Sequence, residues 1–249
     1  MSFYEAMEKY YDDIFPLNES NLSFLVKSFA NSGKAILDLA CGTGSYALAL
    51  ASRGYIVTGV DLDETMIELA LQKKSREPCG PKRGGEVSFF KGNMLYLSTI
   101  LDHTYDGAFC IGNSLVHLTS ISEIETAIKE TSNLLRKGSI MVIQIVNYDR
   151  ILKHHIKSLP TLENRERGVS FERLYTYDRQ NHNIHFTGKL TLPDSSIRIN
   201  TVPLYPLQKN ELEKILDNAG FGEIMSYGNF AGEPWWEEAP ALISKSELL

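Results

Sequence analysis

Cysteine is scarce in this chain: Cys41, Cys79 and Cys110 are the three in 249 residues. Their scatter excludes a disulfide framework and any CxxC metal site. Cys41 and Cys110, each beside an apolar strand, read as small buried thiols. Long apolar runs are missing as well, and no stretch approaches the roughly 18 residues of a membrane span. The opening "MSFYEAMEKYYDD" has neither the basic nor the apolar region of a signal peptide, so a cytoplasmic location is expected. Positive charge is not in excess either. With 25 Lys and Arg against 31 Asp and Glu, the formal charge of −6 argues against a nucleic-acid partner, because phosphate neutralisation needs a dense cationic face. The one basic cluster, "KSREPCGPKRGG" (74–85), is rich in Pro and Gly and reads as a solvated loop. Low-complexity tracts and internal repeats are absent, and 43% apolar with 22% charged residues describes an ordinary soluble globular chain.

What is present is an alternation of helical and strand patterns. In "NESNLSFLVKSFANSG" (18–33), Leu22, Leu25, Val26 and Phe29 follow the spacing of an amphipathic helix, with Gly33 as its stop. Strand "AILDLA" and helix "GTGSYALALASRG" follow, then strand 55–61, helix 63–74 with Asp63 as cap, and strand 87–92. Strand 105–111, a helix within 120–138 and strand 139–147 complete the series. Continuous β-rich runs separated by helices specify a parallel sheet covered on both faces, a doubly wound α/β fold. Residues 169–205 break the rhythm with three short β-rich segments and no helix, an antiparallel meander inserted after the fifth strand. Helix 208–220, a strand near 221–228, the aromatic loop "NFAGEPWW" and a strand near 238–245 close the chain. The expected organisation is a helical arm (1–33), an α/β body (34–168 and 206–249) and the β insert (169–205).

In "ILDLACGTGSYALAL" (36–50), Gly42 and Gly44 stand between a strand and a helix, where backbone approaches a ligand closely and free helix N–H groups meet it. About 20 residues on, Asp61 ends the next strand, placed to accept hydrogen bonds from a ribose. The loose GxGxxG/A pattern, with Ala47 third, also fits a nicotinamide dinucleotide. What precedes the glycines separates the two readings. Asp38 at the end of its strand would face a pyrophosphate badly and suits a ligand with a cationic amino-acid end.

"ILDLACGTG" followed by "VTGVDLDETMIELA" resembles the first two motifs of class I S-adenosylmethionine-dependent methyltransferases, and the order of elements from about residue 34 to 245 fits that family. The resemblance implies a seven-stranded Rossmann-like sheet with its last strand antiparallel, and S-adenosylmethionine as cofactor. It places Asp38, Ala40, Gly42 and Gly44 at the methionine end, Asp61 on the ribose, Leu62 and Met66 against the adenine, and Asn93 and Met94 at the adenine edge. Most relatives carry Asp in the Asn93 slot, and Asn93 equally suits a turn after Gly92.

"CIGNSLVHL" (110–118) and "VNYDRIL" (146–152) resemble the segments after the fourth and fifth strands of glycine N-methyltransferases. "LYPLQKNELEKIL" and the "YGNF…EPWW…PALI" ending extend the likeness. By that resemblance Ile111 and His117 touch the cofactor, Asn113 reaches toward the acceptor, and Tyr148 serves the acceptor side. His117 also fits a packing histidine, Tyr148 an aromatic lid on the sheet end, and Ser114 a turn cap. Tyr11, in the N-terminal arm, is the candidate to cover the sulfonium by cation–π attraction. Trp235 and Trp236 are expected to pack their own loop.

Two departures stand out. The glycine enzymes hold the acceptor carboxylate with an arginine directly before "NYD", where this chain has Val146. Arg150 and Arg173 are the candidate replacements. An acceptor-side tyrosine of that subgroup falls near Gly188. The expected function is methyl transfer to a small polar metabolite, nitrogen being favoured over oxygen, sulfur or carbon. A cofactor-binding protein without turnover is the rival of a different class. No metal is expected, and the oligomeric state stays open.

Overall fold

The computed structural model describes residues 3–76, 84–178 and 180–249; Cys79 and most of the 74–85 loop lie outside the described residues. The chain opens with helices α1 (Phe3–Ile14) and α2 (Glu19–Ser28). Asn18 starts α2 by accepting from the Ser20 and Asn21 amides at 2.8 and 3.2 Å. Strands β1 (Ala35–Leu39), β2 (Ile56–Asp61), β3 (Glu86–Lys91), β4 (Tyr105–Cys110) and β5 (Leu135–Val146) follow. Between them run α3 (Ser45–Ala51), α4 (Glu64–Arg76) and α5 (Ile121–Asn133), and α6 (Tyr148–Lys153) comes after β5. Asp63 caps α4, its Oδ1 accepting from Thr65 and Met66. After four further strands, α7 (Lys209–Asn218), β10 (Phe221–Tyr227) and β11 (Ala241–Leu248) return to the first sheet.

That sheet is seven-stranded, ordered β10-β11-β5-β4-β1-β2-β3. Its first five strands are parallel, and β11 runs antiparallel to both β5 and β10, as the sequence predicts. Both faces are packed. On one, Leu22, Phe24, Leu25 and Phe29 join Ala47, Leu50 and Ile67. On the other, Ile124, Ala127 and Ile128 of α5 join Leu212, Ile215 and Leu216 of α7. The 3–4 residue spacing in α5 and α7 is what turns these stripes onto the sheet.

A separate four-stranded antiparallel sheet consists of β6 (Ser158–Asn164), β7 (Val169–Asp178), β8 (Asn183–Thr191) and β9 (Ile197–Leu204). One of its faces packs α1: Ala6, Tyr10 and Ile14 meet Val169, Phe171, Leu190 and Leu192.

Three expectations are corrected. The insert has four strands rather than three and starts at 158 rather than 169. β6, "SLPTLEN", is a polar edge strand with no fully buried residue, so hydrophobic patterning gives no sign of it. The helix expected over 18–33 ends at Ser28. Gly33 is not its stop: a Cβ there would collide with the Asp106 carboxylate, which accepts from the Ala35 amide at 2.9 Å. Finally, β5 starts at Leu135, four residues before the expected 139.

Candidate active site

The parallel strands end together along one edge, and the candidate residues stand on that edge or in the turns beyond it. The turn after β1 is sharply bent: Ala40, Gly42 and Gly44 have φ of 55°, 53° and 75°. In Ala40 this left-handed backbone is a strained conformation, of the kind that clusters at ligand sites. A Cβ on Gly44 would meet the Phe89 ring at 2.5 Å, and one on Gly42 the Tyr11 hydroxyl at 3.2 Å. Both positions favour glycine through their positive φ, and Gly44 is further restricted by close approach, while at Gly42 the contact is only tight.

Two carboxylates flank this turn. Asp38, 3% exposed, receives no hydrogen bond among the described residues. Burial first, and the charge of Asp61 second, push its pKa well above the usual carboxylate value. Asp61 Oδ2 accepts from the Gly42 amide at 2.7 Å and Oδ1 from the Asp63 amide at 2.9 Å. Burial raises its pKa too, opposed by those amide bonds. The Gly92 amide bonds Asp61 O at 2.8 Å, which brings Asn93 and Met94 beside Asp61 and Leu62. Leu62 is 66% exposed and Met66 half-buried, leaving an apolar surface next to the carboxylate. Asn93 Oδ1 caps the following 3-10 turn through the Leu95 amide at 2.9 Å, the turn role its sequence allows.

Tyr11 of α1 lies on Gly42, and burial, with Asp61 and the other nearby anionic groups, pushes its pKa up. A polar cluster holds α1 in this place. Asp12 accepts from Thr43 Oγ1 at 2.7 Å and pairs with Lys73 at 2.6 Å, while Lys73 also donates to Thr43 and Ser45 at 2.7 and 2.9 Å. The Asp12–Lys73 latch joins residues 61 positions apart, and sequence reasoning missed it. The Thr between the two glycines and the Ser after them were its visible traces.

The acceptor-side candidates converge at the ends of β4 and β5. Asn113, at φ 68°, accepts from the Val146 amide at 2.9 Å and donates Nδ2–H to the Tyr148 hydroxyl at 3.1 Å. Tyr148 is fully buried, and its pKa rises well above the usual phenol value through burial, with Tyr175 as the next contribution. Tyr175, whose hydroxyl lies against that of Tyr148 and is pushed up to about 12 by burial, is a site residue the sequence reading missed. Gln144, the polar residue within the apolar run 140–146 of β5, is another; its Oε1 accepts from the Gly112 amide at 2.7 Å. Ile111 is buried, and its carbonyl accepts from Ser114 Oγ at 3.1 Å, so the hydroxyl closes the turn behind it and makes no side-chain cap bond to the 3-10 turn that follows. His117 is exposed at the surface, and nearby protein lowers its pKa by desolvation.

Of the two candidate arginines, Arg150 sits 3.8 Å from Glu238, whereas Arg173 stands directly opposite Gly188 in the β7–β8 ladder. Trp236 packs on Gly228 beside its own loop, whereas Trp235 lies under Lys209 of α7 at 5.6 Å and packs against the main core. Cys110 is buried, with its thiol pushed up to about 12 by desolvation; Cys41 is half-buried.

The donor set suits S-adenosylmethionine. Asp38 is a buried carboxylate without a donor among the described residues, which suits a cation, and Asp61 has two oxygens at the turn a ribose would approach. The strained turn and the seven-stranded order with an antiparallel β11 complete the pattern of a class I S-adenosylmethionine-dependent methyltransferase, the family that the chain resembles. Within it the chain resembles the glycine N-methyltransferase subgroup.

The family described as "Methyltransferase domain" matches residues 36–138. The chain is 26% identical to the glycine/sarcosine N-methyltransferase of Aphanothece halophytica over 214 residues, 86% of this chain and 76% of that protein. It is 34% identical to human glycine N-methyltransferase over 128 residues, 47% of this chain, and covers 42% of the human protein's length. Its fold matches the CcbJ methyltransferase from Streptomyces caelestis with a TM-score of 0.80 at 21% identity, covering 97% of this chain and 96% of that one.

Proposed function

We propose that the chain transfers a methyl group to the nitrogen of a small polar amine. When bound, S-adenosylmethionine supplies an electrophilic methyl carbon in line with the incoming nucleophile. The protein's part is to position the acceptor and exclude water. The carrying observation is Asn113: its carbonyl oxygen is fixed by the Val146 amide and its amide by Tyr148, so this polar group is rigid at the strand edge. An amine that arrives unprotonated needs orientation, not a strong base. The names of the relatives matched over most of the chain support nitrogen as the target. In this reading Asp38, Ala40, Gly42, Gly44 and Asp61 hold the cofactor, with Leu62, Met66, Asn93 and Met94 around the adenine. Ile111 and His117 face the cofactor from β4, Tyr11 covers the turn, and the antiparallel sheet closes the acceptor side.

A hydroxyl acceptor is the second reading, favoured by His117, whose lowered pKa keeps a neutral imidazole available as a base. The test is release of S-adenosylhomocysteine with a panel of small amines and matched hydroxy compounds, products being identified by mass. An N-methylated product is expected. Turnover of hydroxy compounds alone would favour the second reading, and tight cofactor binding with no turnover would leave a binding protein.

A further inference from the structure

We propose that Arg173 anchors a carboxylate carried by the acceptor, in place of the cation that Val146 does not supply; the inference rests on the acceptor-site reading above. The register of the antiparallel sheet sets Arg173, Gly188 and Asn200 in one row across β7, β8 and β9. The row on one side is Tyr175, Phe186 and Val202, and Phe171 and Leu190 stand on the other. Alternation puts all of them on one face. That face reaches both halves of the site. Phe171 packs edge-on against Phe15, whose neighbour on α1 is Tyr11. Tyr175 meets Tyr148, which holds Asn113. A cation between Phe171 and Tyr175 therefore lies between the cover of the cofactor turn and the acceptor residues.

Arg173 also has unused capacity. Its Nη2 donates to Pro160 O at 2.8 Å, but Nε is buried and has no partner among the described residues. Two other cations have partners of their own: Lys189 pairs with Glu172 at 2.7 Å and Arg150 with Glu238 at 3.8 Å. No ion pair among the described residues involves Arg173, although its charge is felt by the Tyr175 hydroxyl. A partly buried guanidinium with a free Nε–H has the chemistry to take a planar carboxylate.

The test uses the full chain saturated with S-adenosylhomocysteine, titrated calorimetrically with glycine, sarcosine, β-alanine and 4-aminobutyrate, with their carboxamides, and with glycolate. Native protein, Arg173→Lys and Arg173→Met are compared. At least one carboxylate is expected to bind, to lose about 30-fold or more in Arg173→Met, and to recover part of that in Arg173→Lys. S-adenosylhomocysteine affinity should hold in both variants, which shows that they are folded. Arg173-dependent binding of glycolate without turnover of any amine would uphold the anchor while overturning nitrogen as the target. Turnover of carboxamides undiminished by Arg173→Met would overturn the anchor while keeping nitrogen. Binding of no carboxylate, or binding that Arg173→Met leaves unchanged, would overturn the anchor outright.

Discussion

The Gly42 amide donates to Asp61 Oδ2 across 2.7 Å, tying the glycine turn after β1 to the carboxylate that ends β2. Asp61 thus joins two strands by fixing the turn, and in the proposed function its remaining oxygen capacity serves ribose hydroxyls. Asp61→Ala should weaken S-adenosylhomocysteine binding by about 1–3 kcal/mol, the scale of lost charge-assisted hydrogen bonds. Asp61→Asn, which retains one acceptor for Gly42, should lose less. Calorimetric affinities for the three proteins decide this, and an unchanged Asp61→Ala would remove Asp61 from the ribose.

Asp38 gives a pH signature. Its carboxyl pKa is raised in the folded chain by burial and then by Asp61, so the folded state holds this proton more tightly than the unfolded state. The associated stability is complete below the unfolded pKa and is lost as pH rises through the folded one. Asp38→Asn should therefore stabilise the cofactor-free protein at neutral pH and give no gain in acid. A cationic ligand end favours the ionised form, so native affinity for S-adenosylhomocysteine should rise with pH. Asp38→Asn should flatten that dependence and weaken binding by about 2–5 kcal/mol at neutral pH. Denaturant midpoints and calorimetry across pH read the two effects, and a flat native profile would place the ammonium elsewhere.

Much of the fold is legible in the sequence because burial leaves a period. Strands covered on both faces read as continuous apolar runs, and α5 and α7 read as stripes at helical spacing. The cofactor turn is legible because Asp38, Gly42, Gly44 and Asp61 lie close together in the chain. β6 is not, since an edge strand buries too little to pattern. Tyr175 is an ordinary residue of its strand in the sequence, and Arg173 is one of two candidate cations, until the β7–β8 register sets Arg173 against Gly188. Tertiary pairing is what brings them toward the candidate site, and no local spacing encodes that pairing.

The hold of α1 on the cofactor turn is testable through Asp12 and Lys73, paired at 2.6 Å and partly exposed. Solvent screening limits such a pair, so the coupling energy between Asp12→Asn and Lys73→Met should be about 0.5–1 kcal/mol. If α1 must lift for the cofactor to leave, each single variant should release S-adenosylhomocysteine about 2–5 times faster, with a smaller change in the association rate. Stopped-flow fluorescence measures both rates. Equal dissociation rates in native and variant proteins would mean that the latch holds α1 without gating release.

The last prediction moves the proposed cation. Val146 is half-buried at the end of β5, and its own amide holds Asn113, so an arginine side chain there starts beside the acceptor candidates. Val146→Arg alone would set a second guanidinium near Arg173, and the like charges would oppose each other. The double variant Val146→Arg with Arg173→Met keeps one cation and shifts it from the antiparallel sheet to the main sheet edge. It should restore binding of a short carboxylate such as glycine or sarcosine by about 10-fold or more over Arg173→Met alone, close to 1.4 kcal/mol. Longer amino acids should gain less, because the anchor has moved relative to the methyl-donor side. Calorimetry on the saturated complexes ranks the panel in each background. Restoration for short acceptors alone would show that anchor position sets acceptor length, whereas no restoration for any acceptor would show that the two cation sites are not interchangeable.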